Sequence, residues 1–240
     1  FPYTTLFRSY VVEAVKKGEF SEEEIDERCR KVLLFKYAMG LNRKPVVRLS
    51  GLERRINTPH TRDLIRRLNL AAVTVLNNEK GVLPIHPDVK KVAVLTVGKA
   101  KELEAFTNEL KKYVEVHTFE LGKQMPDSLQ QKLRDSLSAY RRIIVPVNEI
   151  RLAPYQSFFA KFAPQVPVVY AFFTPAKLML QIHRAISNAS SVVLGHTDSD
   201  EVQEQIAALL FGKAAANGRL SAGIGGLFRA GAGLTVTTST

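Results

Sequence analysis

The chain has 240 residues, a formal net charge of +11, 45% hydrophobic and 24% charged residues, and a single cysteine. That is a globular composition sized for one large domain or a domain with an appendage. No apolar run approaches the roughly 18 residues of a membrane-spanning helix, and one cysteine excludes an intrachain disulfide.

Residues 1–9, FPYTTLFRS, are the translation of TTTCCCTACACGACGCTCTTCCGATCT, the end of a common sequencing adapter. They are expected to be an artefact, set apart from fold reasoning as a tag would be. The chain is then expected to be a fragment that enters at Tyr10.

Residues 10–40 read as a helical pair. Val11, Val12 and Val15 end one helix before Gly18. Ser21 and Glu24 have the spacing of a capping box at the start of a second. Ile25, Cys29, Val32 and Leu33 recur on one face of it, which predicts Cys29 as a small buried hydrophobe, and Gly40 is the expected stop. Residues 41–59 lack a sustained period and hold Pro45, Gly51 and Pro59, the pattern of an interdomain linker.

From residue 60 to 224 short apolar, β-branched runs alternate with helical patterns. The runs are Val73–Leu76, Val92–Val97, Val114–Phe119, Ile143–Val147, Val168–Phe173 and Val192–Leu194. Between them Leu103, Phe106 and Leu110 share a helix face, as do Leu129, Leu133 and Leu137, then Leu178, Ile182 and Ala185, then Val202, Ile206 and Leu209. Such alternation predicts an α/β fold: a three-layer α/β/α sandwich on a mostly parallel sheet of about six strands. Residues 225–240, rich in Gly, Ala and Thr, read as a tail or linker.

The high positive charge raises a nucleic-acid partner, but Lys16, Lys17, Arg30, Lys31, Lys111, Lys112, Arg141 and Arg142 are scattered among acids, and nucleic acid is not expected. The denser Arg54, Arg55, Arg62, Arg66 and Arg67 read as solvated surface, with a face for an acidic domain, anionic glycan or nucleic acid as the alternative. Gly98 is the lone glycine after its strand, and GKAKEL has neither dinucleotide nor P-loop spacing, so no cofactor is expected. The five histidines show no metal-ligand spacing, and no metal is expected. Two loops follow strands at the end where open α/β sheets bind ligands. One carries Asn148, Glu149 and Arg151; the other carries His196 and Asp198, where the competing reading is that Asp198 or Ser199 caps the next helix. Glu149 is the weak catalytic candidate, since a glycosidic general acid needs a second carboxylate roughly 5 to 10 Å away that the sequence cannot place. Asn148, Arg151, His196 and Asp198 are candidates for a substrate wall.

Three segments, Val15–Leu41, Ala71–Ile85 and Glu204–Ile224, taken together and in this order, resemble glycoside hydrolase family 3. VKKGEFSEEEIDERCRKVLLFKYAMGL (Val15–Leu41) is similar to the helices that close that family's catalytic barrel. AAVTVLNNEKGVLPI (Ala71–Ile85) is similar to the strand and turn that open its C-terminal sandwich, and EQIAALLFGKAAANGRLSAGI (Glu204–Ile224) to its ending, with Ser221 where proline is usual. The resemblance is nearest to the β-N-acetylglucosaminidase-like branch. It implies a parent that hydrolyses terminal β-N-acetylglucosamine or β-glucose, whose nucleophile sits on a (β/α)8 barrel missing here. It further implies a carbohydrate substrate, a secreted or periplasmic location and, in some members, a C-terminal serine-hydrolase-like domain. The fragment alone is then a non-catalytic domain. In the β-glucosidase branch the sandwich supplies the acid/base from an E-G-x-D-R segment; VNEIRLAPYQ (Val147–Gln156) stands at that place, so Glu149 is not assigned by match.

Overall fold

The computed structural model describes residues 2–43, 48–162 and 164–239. The chain divides into two compact units, residues 1–58 and 59–240.

The first unit holds α1 (Pro2–Lys16), α2 (Glu22–Ala38) and the short α3 (Leu52–Ile56). Helix α1 runs without a break past Ser9, so residues 2–9 and those after them share one helix. It closes where Gly18 takes a φ of 74°, a left-handed turn that costs glycine nothing. The capping box forms as read: Glu24 N–H donates to Ser21 Oγ and Ser21 N–H to Glu24 Oε2, both at 3.1 Å. Two of the four orphan donors at the helix start are thereby satisfied. The apolar stripe has a different fate. No residue of α2 is buried; Leu34 and Phe35 are each 63% exposed, and Cys29 is exposed. The expectation of a buried Cys29 is corrected: the stripe exists, but among the described residues of this unit no layer covers it. The segment 41–59 also carries more structure than a linker, with a 3-10 turn at Leu41–Arg43 and α3; Pro45 lies outside the described residues.

The second unit runs α4 (Pro59–Ala72), β1 (Thr74–Asn78), β2 (Lys91–Thr96), α5 (Glu104–Leu110), β3 (Glu115–Glu120), α6 (Asp127–Ser138), β4 (Ile143–Val147), α7 (Gln156–Lys161), β5 (Val168–Phe172), α8 (His183–Ser187), β6 (Ser191–Leu194) and α9 (Asp200–Leu210). The six strands form one sheet in the order β1-β6-β5-β4-β2-β3. All neighbours are parallel except β1, which pairs antiparallel with β6, Thr74 opposite Leu194. β4, β5 and β6 are buried throughout, as strands covered on both faces must be.

Alternate side chains feed two cores. Leu95, Val145, Tyr170 and Leu194 pack with Leu137, Phe158 and Met179 on one face. Val94, Ile144, Val169 and Val193 pack with Phe106, Leu110, Ile206 and Leu209 on the other. Each such side chain withdrawn from water contributes about 1.5–3 kcal/mol, so the two faces together hold the sandwich.

The last stretch differs from the expectation of a tail or linker. Leu234 N–H donates to Val75 O at 2.7 Å, and Ala216 and Val236 exchange backbone hydrogen bonds. Leu227, Phe228 and Ala232 pack on the core. Its small residues permit close approach: a Cβ on Gly233 would lie 2.3 Å from Gly218 O.

Candidate functional site

The strand order places a switch point between β2 and β4. From β2 the chain moves outward to β3, then crosses back to β4 and continues to β5 and β6 on the other side. Connections diverge there, and the carboxyl ends of the two strands border the crevice where such sheets bind ligands. The loop after β2 brings Gly98 and Lys99; the loop after β4 brings Asn148, Glu149 and Arg151.

Side chains of the chain itself close this crevice. Asn148 Oδ1 accepts from Lys99 N–H at 2.9 Å, and Asn148 Nδ2 donates to Lys99 O at 3.1 Å. The approach requires glycine at 98. Its φ is 127°, and a Cβ there would lie 2.1 Å from Asn148 Oδ1 and 2.9 Å from Glu149 N. Lys123, from the loop after β3, reaches across the end of β2 and pairs with Glu149 Oε2 at 2.6 Å. Glu149 Oε1 accepts from Arg151 N–H at 3.1 Å. The Lys123 hydrogen bond pulls the Glu149 pKa below the ordinary carboxylate value; burial opposes this, and the amides of Arg151 and Ile150 reinforce it. A general acid must hold its proton near working pH. In this setting Glu149 is a fixed anion, the wrong state for a proton donor.

The other candidates arrange themselves around the same edge. Lys99 is bonded to Glu102 at 2.6 Å, which holds its pKa above the usual lysine value, with smaller contributions from Glu149 and Asp198. Arg151 is exposed and contributes its backbone rather than its side chain. His196 has a φ of 65°, is exposed, and has its pKa lowered by partial desolvation. Gly195 before it presses on α9, where a Cβ would meet Val202 Cγ1 at 2.7 Å. Ser199 occupies the N-cap of α9 without a side-chain capping bond. Gln203, buried, ties the edge instead: it donates to Asp198 O at 2.6 Å and Glu102 O at 2.8 Å and accepts from Phe106 N–H at 3.1 Å. Among the described residues no hydrogen bond or ion pair joins His196 or Asp198 to Glu149.

Three contributors escaped sequence reasoning. Lys123 sits in a polar loop with no motif. Gln203 looks like any helical glutamine. Gly98 carried a signal, a single glycine just past a strand, that a search for phosphate loops passes over. Among the described residues no group of three or more His, Cys, Asp or Glu could hold a metal ion, and no helix is long and apolar enough to cross a membrane.

This mixed six-stranded sheet between helices is the α/β architecture of several solved glycosidases. The chain superposes on a glycoside hydrolase family 3 β-N-acetylglucosaminidase from a Paenibacillus species with a TM-score of 0.51 and 19% identity, over 85% of this chain and 40% of that one. It superposes on a β-glucosidase from Listeria innocua in complex with glucose with a TM-score of 0.53 and 16% identity, over 89% of this chain and 33% of that one. In sequence it is 37% identical over 95 residues to β-glucosidase B of Emericella nidulans, a match that takes in 38% of this chain and 11% of that protein. It is 28% identical over 88 residues to a putative β-xylosidase of Formosa agariphila, in 36% of this chain and 12% of that protein. The matched stretches thus span about a tenth of these relatives. No family model matches the chain.

Proposed function

We propose that the chain is the C-terminal α/β sandwich of a glycoside hydrolase family 3 enzyme, together with terminal helices of a barrel that carries the nucleophile elsewhere in the protein. The observation that carries this reading is one of proportion. Glycosidases cover 85–89% of this chain's fold with only 33–40% of their own length. The exposed apolar residues on α2, and Leu64, Ile65 and Leu68 on α4, are 44–67% exposed in the two units; surfaces of this kind fit contact with a further domain. In this reading the unit at residues 59–240 is a non-catalytic scaffold that offers Asn148, Arg151, His196 and Asp198 as a wall of the sugar site. The parent hydrolyses terminal β-N-acetylglucosamine and works in the periplasm or outside the cell.

A second reading has one observation in its favour: three of the curated relatives are named β-glucosidases. There Glu149 serves as the acid/base once the barrel displaces Lys123. Chromogenic β-N-acetylglucosaminide and β-glucoside separate the cases. The 240-residue chain alone should release no chromophore from either. The protein extended upstream should cleave the first, and Glu149→Gln should leave that rate within about threefold. A drop of roughly a hundredfold or more on Glu149→Gln, in the range ascribed to a general acid, would favour the second reading. Turnover by the chain alone would defeat both.

A further inference from the structure

The end of the sheet opposite the switch point holds an arginine with unmet bonding capacity. Arg142 immediately precedes β4 and is only partly exposed. Its Nε and Nη1 are sealed from solvent and have no hydrogen-bond partner. A guanidinium carries five donors and a full charge at any accessible pH. Leaving part of it dry and unpaired is among the costliest arrangements in a fold. Its field partner is Asp88, yet Asp88 Oδ1 is engaged by His86 Nδ1 at 2.6 Å. Among the described residues no ion pair joins Arg142 to a carboxylate.

Arg142 also lines two clefts, of about 520 Å³ and about 390 Å³. The larger is lined by further donors: the amides of Gln165 and Asn188, the hydroxyl of Ser190 and the buried Tyr170. Ser190 Oγ accepts from Val168 N–H at 3.3 Å, which leaves its own proton to give. Glu79 stands at the mouth, exposed, and Arg141 lines the smaller cleft. The surroundings are those of a net basic protein, +11 overall.

We propose that this cleft binds a small oxyanion, a phosphate or carboxylate group, in the fork of Arg142 with Ser190 and Asn188 as auxiliary donors. The guanidinium fork matches both groups through paired N–H···O bonds. In this proposal the bound oxyanion takes the Nε and Nη1 protons that the free protein leaves without a partner. The site is independent of the sugar-site reading, since it lies at the amino-terminal edge of the parallel strands.

The test uses the full chain with inorganic phosphate and with malonate, each against sodium chloride at equal ionic strength, pH 7.5. Backbone amide resonances of Arg142 and Ser190 should shift saturably with at least one anion; which one responds identifies the source of the oxyanion. At a concentration ten times the dissociation constant the folded-to-unfolded ratio should rise about elevenfold. Arg142→Leu should melt no lower than wild type in chloride, because it removes an uncompensated charge, and should lose the saturable response. Phosphate also stabilises proteins without binding, by exclusion from their surfaces, so an equal gain in wild type and Arg142→Leu would overturn the proposal. So would the absence of amide shifts in wild type with both anions, a result that does not depend on the variant folding.

Discussion

The closest backbone approach at the switch point gives the sharpest test of how the crevice is closed. Replacing Gly98 by alanine places a methyl group 2.1 Å from Asn148 Oδ1 and 2.9 Å from Glu149 N at a φ of 127°. Asn148 must move, which sacrifices its two hydrogen bonds to the Lys99 backbone at about 1 kcal/mol each. The backbone conformation adds about 1–3 kcal/mol for a residue with a Cβ. The sum is about 3–5 kcal/mol. At about 2–4 °C per kcal/mol for a domain of this size, the melting temperature should fall by about 10 °C. Asn148→Ala alone should cost about 2 kcal/mol through the same two bonds. In the Gly98→Ala background it should cost much less, because those bonds are already lost and the alanine relieves the clash. Thermal melts of the two single variants and the double variant complete the cycle. A Gly98→Ala melt within about 2 °C of wild type, an effect of roughly 1 kcal/mol or less, or full additivity in the double variant, would refute the reasoning.

Three more outcomes are open to measurement. Lys123→Met should lower stability by up to about 1 kcal/mol at pH 7, since the ion pair is half in solvent. Glu149 is held below its usual pKa, so this contribution exists above the unfolded carboxylate pKa and fades as acid titrates the folded one; melts from pH 7 down to pH 3 should converge for variant and wild type, and a constant gap would contradict the pairing. Tyr113 donates to Glu109 Oε1 at 2.5 Å and has its pKa pushed up to about 12. The folded state therefore holds this proton more tightly, and the advantage over Tyr113→Phe should be full below about pH 10 and disappear as pH approaches 12, read as difference melts and phenolate absorbance. His196, at a φ of 65°, should accept glycine with little or no loss, whereas His196→Val should cost about 1–2 kcal/mol; equal melts for the two variants would show that the turn is not strained.

Period-two and period-3.6 patterns made the sandwich legible, because strands buried on both faces leave near-continuous β-branched runs such as Ile143–Val147. The capping box at Ser21 and Glu24 was equally readable, being a local bond. What the pattern lacked was the identity of partners. The stripe through Cys29 shows which side of α2 is apolar but not whether the covering layer belongs to the same chain. The docking of Leu234 beside Val75 depends on small residues whose sequence looks like a linker. At the candidate site, the strand pattern shows that Asn148 and Glu149 follow the end of β4 and that Asp198 follows the end of β6. The Lys123 contact that sets the charge state of Glu149 joins residues 26 positions apart across a strand end, and no periodicity encodes it.

The seat of Leu234 against β1 bears on how copies of this chain meet. An open strand invites another to hydrogen-bond alongside it, the usual route to runaway stacking. At one margin of the sheet Val75 already has a neighbour in Leu234. At the other, β3 presents Glu115, His117 and Glu120, whose charges discourage a newcomer. With both margins guarded, any stickiness in concentrated solution should come from the greasy helix of residues 22–38, and detergent or a covering partner, rather than strand-breaking mutations, should cure it.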